Sequence, residues 1–290
     1  MTGAGSARVL AARLPPLLVA AQRVAAAVTG GAHGRRRAGT GEAFWQFRRA
    51  QPGDSAAAVD WRQSARSQGL FVRESEWSAA QTVWLWCDGS ASMDWASRPD
   101  LPRKGERAML LALALAAGLL RGGEKVAALA GSHPPVCGGG GALSRLALAL
   151  AGSGPEMAPA ARLPRAAELV LVSDFLVPAG QVADRVRALA GAGATGHLLQ
   201  VLDPAEEALP YDGRIRFIDP ETGDALLVRR AEDLRAGYLR RLADHRAALA
   251  AVARDAGWSF AVHHTDRPPH LALLALHARL AAPRDRGGPC

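Results

Sequence analysis

The stretch QTVWLWCDGSASM, residues 81–93, contains the two features that decide the fold. Residues 81–88 predict a buried β-strand, because a short apolar run that ends at turn residues is typical of a sheet core. The next residues place one carboxylate and two hydroxyls at alternate positions, at Asp88, Ser90 and Ser92. The chain therefore leaves a buried strand through a short loop that is rich in oxygen atoms.

Strand-like and helix-like segments alternate downstream of this stretch. The runs KVAALAG, ELVLVSDF (168–175), GHLLQVLD and WSFAVHHT predict further strands, and RIRFIDPETGDALLVR predicts a hairpin. Helical patterns such as RKGERAMLLALALAAGLL separate the predicted strands. Strands that are separated by helices imply right-handed crossovers and a mostly parallel sheet with helices on both faces. We therefore expect an α/β fold with a doubly wound, mostly parallel sheet.

The sequence divides into four predicted regions. These are a helical leader (1–33), an irregular Arg- and Trp-rich segment (34–80), the α/β domain (81–282) and a tail (283–290). The three cysteines form no CxxC pair, which favours a reducing compartment. The most apolar run, AMLLALALAAGLL, is too short to cross a bilayer, which needs about 20 residues. We expect a cytoplasmic protein without a membrane span of its own.

The formal net charge of +8 comes almost entirely from arginine, since Lys104 and Lys125 are the only lysines. This bias towards arginine weakens the charge as a sign of function. The densest basic patch, GRRRAGTGEAFWQFRR (34–49), has five arginines and one glutamate. It could bind phosphates or an acidic partner, or it could be a solvated arm.

Two acids stand where ligands bind in such a fold. Asp88 and Asp174 each follow a strongly apolar strand, and ligands of doubly wound sheets bind outside the carboxyl ends of the strands. One carboxylate with two hydroxyls suits Mg²⁺ (or Mn²⁺), a hard cation that prefers oxygen ligands. Asp88, Ser90 and Ser92 would bind the ion, and Asp174 would accept a hydrogen bond from a metal-bound water. Alternatively, Asp88, Ser90 and Ser92 cap a helix start without any metal.

DGSASM resembles the DxSxS metal-ion-dependent adhesion site of von Willebrand factor A domains. The preceding segment, RRAQPGDSAAAVDWRQSARSQGLFVRESE, is similar to the bacterial domain-of-unknown-function 58 family, in which PGD, DW-basic-x-SAR and L-x-VRE-like blocks precede such a domain. The similarity extends from about residue 40 to 280. The matching positions are Arg49, Pro52, Gly53, Asp54, Asp60, Trp61, Arg62, Ser64, Ala65, Arg66, Val72, Arg73 and Glu74.

The resemblance implies an adaptor or chaperone-like protein that works with a MoxR-type AAA+ ATPase and an unidentified client protein, without a small-molecule substrate. It also implies a cytoplasmic protein, or one held at the inner membrane through its partners. The adhesion site usually has a Thr as a further element. This chain has no Thr between Thr82 and Thr195, and Ser144 is a weak substitute. Whether the site holds a metal without that Thr stays open.

Enzymatic interpretations lack their required residues. A haloacid-dehalogenase-type phosphatase needs a second Asp where Ser90 stands, and neither a GxSxG elbow nor a GxxxxGK[ST] loop is present. We therefore expect a non-catalytic protein-interaction module. The alternative is a nucleic-acid-binding protein that uses the Arg-rich segment. Within that segment, Asp60, Arg62, Arg66 and Arg73 form either an internal ion-pair network or a partner surface.

Overall fold

A computed structural model describes residues 15–28, 43–51, 59–66, 69–76, 82–129, 136–154, 163–164 and 166–280. The chain forms two compact units. The smaller is Gly34–Gln81, and the larger combines Met1–His33 with Thr82–Cys290. The helices are α1 (residues 15–28), α2 (Trp61–Ser64), α3 (Lys104–Arg121), α4 (Ala142–Ala151), α5 (Ala179–Gly191), α6 (Pro204–Ala208), α7 (Glu232–Asp255) and α8 (Pro269–Leu280). The strands are β1 (Ala43–Arg49), β2 (Phe71–Glu76), β3 (Thr82–Cys87), β4 (Lys125–Ala128), β5 (Val136–Cys137), β6 (Glu168–Ser173), β7 (Thr195–Leu202), β8 (Ile215–Ile218), β9 (Ala225–Val228) and β10 (Ser259–His264).

The larger unit is built around a six-stranded sheet in the order β10-β7-β6-β3-β4-β5. All neighbouring pairs are parallel except β4 and β5. This confirms the predicted α/β class with a mostly parallel sheet. Counted along the chain, the strand order corresponds to 3-2-1-4-5-6, the order of the doubly wound fold. The strand order reverses between β3 and β6, so the crevice expected for a ligand lies beyond the carboxyl ends of these two strands.

Hydrophobic cores cover both faces of the sheet. Successive side chains of a strand point to opposite faces, so β3 contributes to both cores. Leu85 packs with residues of α1, α3, α4 and α8 on one face, and Trp84 and Trp86 pack with residues of α5 and α7 on the other. The apolar sequence of β3 follows from this burial, since a parallel strand covered on both faces has no solvent side. The strand therefore holds the loop that follows it in a fixed position.

Helix α3 connects β3 to β4, and more than half of its residues are buried. Ten of its eighteen residues are buried, from Lys104 to Leu119. This position explains why AMLLALALAAGLL is apolar all round: the run packs against the sheet, α4 and α8. None of the described helices is long and apolar enough to cross a membrane.

The smaller unit differs from the irregular segment that we expected. Strands β1 and β2 form an antiparallel pair that matches Ala43 with Glu76 and Arg49 with Phe71, with a register shift between Phe44 and Gln46. Twenty-one residues separate the two strands, so no hairpin turn marks them in the sequence.

In the larger unit, the two-residue strand β5 was not predicted from the sequence. The predicted hairpin is confirmed, since β8 and β9 pair around the turn at Asp219–Asp224.

Candidate functional site

Asp88 and Asp174 leave the sheet at the same edge. Strands β3 and β6 are parallel neighbours in which Cys87 pairs with Val172, and the Asp88 N–H donates to the Val172 carbonyl at 2.9 Å. Asp174 lies one residue beyond the end of β6 and is 3% exposed. The position of both acids therefore follows from the strand order, because parallel neighbours present their carboxyl ends together.

Short hydrogen bonds fix the Asp88 carboxylate. Its Oδ1 accepts the Ser90 N–H at 2.8 Å, and its Oδ2 accepts the Ser173 hydroxyl at 2.6 Å. Burial, with a smaller contribution from the nearby charge of Asp174, raises the pKa of Asp88. In the described part of the chain no cationic side chain forms an ion pair with Asp88. The carboxylate is thus held firmly and lacks a charge partner.

The two serine hydroxyls link the loop to Asp174. Ser90 Oγ and Ser92 Oγ are 3.1 Å apart, and the Ser92 hydroxyl donates to Asp174 Oδ2 at 2.8 Å. Ser90 precedes a short 3₁₀ helix, Ala91–Met93, but its side chain forms no cap hydrogen bond. Ser90 therefore does not cap this helix through its side chain, whereas Asp88 does accept a main-chain N–H, that of Ser90. The structure brings Asp88, Ser90, Ser92 and Asp174 together, and we call these four residues the strand-end cluster.

A buried lysine that the sequence interpretation did not include joins the cluster. Lys104, the first residue of α3, is 1% exposed, and its Nζ lies 2.8 Å from Asp174 Oδ2 and 2.5 Å from Glu206 Oε1. Burial opposes the charge of the ammonium group, but Asp174 and Glu206 outweigh it and raise the pKa of Lys104. Asp174 therefore contacts a hydroxyl on one side and a permanent cation on the other.

The loop after β6 is held in an unusual backbone conformation. Phe175 has a positive φ of 49°, which is uncommon for a residue other than glycine. Its carbonyl lies 2.7 Å from His245 Nε2, and the Gln200 amide donates to the Asp174 carbonyl at 2.8 Å. These contacts from α7 and β7 compensate the local strain. They orient the Asp174 side chain towards the other members of the strand-end cluster.

A carboxylate from a distant hairpin reaches the cluster. Glu221 lies in the turn between β8 and β9, and its Oε1 accepts the Ser92 N–H at 2.8 Å. The two residues are 129 positions apart in the sequence. The main-chain amide of the cluster loop therefore already binds an acidic side chain in this structure.

Ser144 is not placed to serve as the missing ligand. It is exposed in the first turn of α4, whereas the opposite end of that helix approaches the cluster loop. A Cβ on Gly89 would lie 2.2 Å from the Ser153 carbonyl oxygen, so Ser153 packs against the loop. The seven residues from Ser144 to the end of α4 span roughly 10 Å, which removes Ser144 from the site. Ser153 has a buried Oγ without a hydrogen-bond partner.

The donor set of the strand-end cluster fits a hard divalent cation. The half-buried Asp88 carboxylate, which has no charge partner among the described residues, and the hydroxyls of Ser90 and Ser92 are oxygen donors of the kind that Mg²⁺ accepts. Among the described residues, no group of three or more His, Cys, Asp or Glu side chains is placed to share a metal. A site here would therefore depend on the hydroxyl groups.

The two histidines at the end of β10, His263 and His264, differ from each other in their contacts. His264 Nε2 lies 2.9 Å from Glu207 Oε2, while His263 is buried and its Nε2 has no hydrogen-bond partner. Burial, together with Arg107 and His264, lowers the pKa of His263 to about 4. His263 is therefore neutral at physiological pH and contributes to packing.

The family-motif residues of the smaller unit have local structural contacts where the structure describes them. Asp60 Oδ1 accepts the N–H groups of Arg62 and Gln63, and the Ser64 Oγ accepts the Phe71 N–H. Asp60 thus caps α2, and no ion pair joins it to Arg62 or Arg66 in the described contacts. Trp61 is 62% exposed. Outside the described residues lie Pro52, Gly53, Asp54, the side chains of Arg73 and Glu74, most of the predicted leader and the tail.

The fold and this site define an α/β domain with an oxygen-rich cluster at its topological switch point. The family described as "Protein of unknown function DUF58" matches residues 46–248, and the chain belongs to this family. The uncharacterized proteins Rv1480 of Mycobacterium tuberculosis (strain H37Rv) and Mb1516 of Mycobacterium bovis are each 29% identical to it over 268 residues. The matched region covers 86% of this chain and 81% of each relative.

Two solved structures share limited similarity with the chain. BatB from Bacteroides thetaiotaomicron is 16% identical, with a TM-score of 0.40, over 69% of this chain and 98% of BatB. An aerotolerance-related membrane protein from Bacteroides fragilis is 16% identical, with a TM-score of 0.43, over 68% of this chain and 97% of that protein.

Proposed function

We propose that this protein is a non-catalytic interaction module of the von Willebrand factor A type, which binds an acidic group of a partner at the strand-end cluster. The observation that carries the proposal is the convergence of Asp88, Ser90, Ser92 and Asp174 where the strand order reverses. The antiparallel edge strand β5, which is the third strand of this sheet in chain order, is compatible with that fold type.

Mg²⁺ (or Mn²⁺) is the cofactor that the cluster would hold. Asp88, Ser90 and Ser92 would bind it directly, and Asp174 would accept a hydrogen bond from a water on the ion. When bound, the ion supplies an electrophilic position that a carboxylate of a second protein can occupy. The protein's own contribution is orientation: Ser173 and the Ser90 N–H fix the Asp88 carboxylate, while Lys104 and Ser92 fix Asp174.

The partner that we propose is a MoxR-type AAA+ ATPase together with a client protein, with the chain acting as adaptor or chaperone-like factor. Family resemblance supports this part of the proposal. The Arg-rich segment, residues 35–73, would provide a second contact. We place this assembly in the cytoplasm or at the inner membrane through its partners.

Partner capture from the native host tests the proposal. Wild type, Asp88→Ala and Asp184→Asn would be immobilised, and bound proteins identified by mass spectrometry with Mg²⁺ or with EDTA at constant ionic strength. Asp184 is a suitable control because it is an exposed carboxylate that pairs with Arg187 on α5. We expect wild type and Asp184→Asn to recover an AAA+ ATPase, and Asp88→Ala or EDTA to reduce recovery at least tenfold, on the order of the loss of one charged contact.

Undiminished capture by folded Asp88→Ala would contradict the mechanism. If EDTA does not change the amount of partner captured but a higher salt concentration reduces it steeply, the binding would instead depend on counterion release from phosphates, as in nucleic-acid binding.

A further inference from the structure

The turn between β8 and β9 places a carboxylate on the strand-end cluster from outside it. Glu221 Oε1 accepts the Ser92 N–H at 2.8 Å, in the same loop whose hydroxyls link Ser90 to Asp174. Among the described residues, this is the hydrogen bond that joins the hairpin Ile215–Val228 to the rest of the larger unit. We propose that Glu221 is a built-in carboxylate ligand of the strand-end cluster, which an acidic side chain of a partner must displace.

The turn is organised so that Glu221 projects from it. Asp219 Oδ1 accepts the Glu221 N–H at 2.8 Å, and the Asp219 carbonyl accepts the Gly223 N–H at 2.8 Å. Gly223 has a φ of +77°, and the Thr222 hydroxyl donates to Asp224 Oδ2 at 3.0 Å. Because these bonds lie within the turn, they hold its shape whether or not Glu221 contacts Ser92. The carboxylate is therefore presented in advance and pays little entropy on docking.

The hairpin has few contacts with the rest of the larger unit and can move away from the cluster. Among the described strands, β8 and β9 pair only with each other, and an isolated two-stranded hairpin is marginally stable in water. Ile218, Leu226 and Leu227 are 59%, 61% and 53% exposed, and the apolar contact of the hairpin is limited to half-buried residues such as Phe217, whose ring contacts Tyr211. Segments with few buried contacts open at low free-energy cost. The turn can therefore move away from the cluster when the hydrogen bond between Glu221 and Ser92 breaks, while the six-stranded sheet stays folded.

The internal contact also specifies what the cluster recognises. The Ser92 N–H is a donor at the cluster's outer edge, and the group that occupies it here is a glutamate carboxylate in a tight turn. The partner group that competes for it is accordingly an Asp or Glu side chain. This inference rests on the proposed function, because it takes the strand-end cluster as the partner's binding site.

Amide exchange measures the internal contact without any partner. NMR-detected hydrogen exchange of the Ser92 amide would be compared in wild type, Glu221→Ala and Asp184→Asn. We expect the Ser92 amide to exchange about tenfold faster in Glu221→Ala and at an unchanged rate in Asp184→Asn. A hydrogen bond to a charged group contributes roughly 1.5 kcal/mol, which corresponds to about a tenfold change in the opening equilibrium. Equal exchange in wild type and Glu221→Ala would overturn the proposal and would leave the partner-capture result intact.

Competition is tested with a probe taken from the chain itself. A labelled, cyclised peptide of residues 215–228 would be titrated by fluorescence anisotropy in Mg²⁺ against wild type and Glu221→Ala. We expect about tenfold tighter binding to Glu221→Ala, because the apparent affinity rises with the fraction of accessible sites. The same peptide with Gln in place of Glu221 is expected to lose this preference.

Equal affinity of the Glu-containing peptide for wild type and Glu221→Ala would overturn the proposal. Peptide binding to Glu221→Ala that survives the additional change Asp88→Ala would contradict the proposed function instead. The two failures are therefore distinguishable.

Discussion

Replacing Lys104 by Met is expected to destabilise the protein strongly, because the ammonium group is the cation that two buried carboxylates share. The Lys104, Asp174 and Glu206 side chains are 1%, 4% and 15% exposed. Methionine has nearly the same length and helix propensity as lysine, so the change removes the charge and retains most of the packing. Asp174 would keep its hydrogen bond from Ser92, and Glu206 would keep that from the Asp203 N–H.

The magnitude follows from the two ion-pair distances. At an effective dielectric constant of about 20, the pairs at 2.8 and 2.5 Å have Coulomb attractions of about 6 and about 7 kcal/mol. Desolvation of the three groups offsets most of this attraction. Removal of one partner leaves the other charges buried and unpaired, which costs about 3–5 kcal/mol. This is a large part of a typical unfolding free energy of about 5–15 kcal/mol.

Urea unfolding monitored by circular dichroism measures the effect. Lys104→Met should lower the unfolding midpoint without a change in the m-value. The double variant Lys104→Met/Glu206→Gln should recover about 1–2 kcal/mol, because it leaves one fewer carboxylate without a partner. Lys125→Met serves as the control, since Lys125 is exposed and lies at the start of β4.

A loss below about 1 kcal/mol in Lys104→Met would refute the reasoning, since that is the value of an exposed ion pair. Full additivity in the double variant would equally contradict a shared cation.

Two further predictions concern the surroundings of the cluster. Gly89→Ala should destabilise the protein by about 2 kcal/mol or more in urea unfolding, because the new Cβ would lie 2.2 Å from the Ser153 carbonyl oxygen. The control Gly180→Ala, in the helix α5 with open space around it, should stabilise it by about 0.5–1 kcal/mol, and equal effects would contradict the packing argument. Hydrogen bonds from Arg246 lower the pKa of Glu207 from 4.5 to about 2, so its stabilisation is present above pH 4.5 and is lost as the pH falls towards 2. Glu207→Gln should therefore cost about 1 kcal/mol at pH 6, given the exposure of the pair, and a cost that stays constant down to pH 2 would argue against a charged Glu207.

Sequence patterns located the part of the site that depends on strands. Asp88 and Asp174 each follow an apolar run, and the parallel pairing of β3 and β6 brings such positions together. The turn signals in DPETGD likewise predicted the hairpin that contains Glu221. Each of these features depends on local sequence and on the general topology of parallel sheets.

The remaining site residues depend on long-range packing. Glu206 and Glu221 are 102 and 129 positions away from their partners in the site, so no local pattern connects them. Lys104 looked like an ordinary residue at a helix start. Its rarity is no guide to its burial: it is one of two lysines among 35 basic residues, and the other, Lys125, is exposed. Ser153 gave no signal, because its position depends on the close packing of its main chain against Gly89.

The charges around the cluster connect the two proposals. When Asp88, Asp174 and Glu206 are all ionised, the single ammonium group of Lys104 leaves an excess of two negative charges, and burial raises the pKa of both Asp88 and Glu206. Docking of Glu221 adds a third, and a single N–H dipole is weak compensation for three like charges. A divalent cation among Asp88, Ser90 and Ser92 would reduce that excess to one and attract the Glu221 carboxylate. The internal ligand is therefore a reason, independent of the DxSxS pattern, to expect that Mg²⁺ strengthens the protection of the Ser92 amide. If the Ser92 amide is equally protected from exchange in Mg²⁺ and in EDTA, Glu221 binds the Ser92 N–H without help from a metal. The contact of Glu221 would then be independent of the proposed metal site.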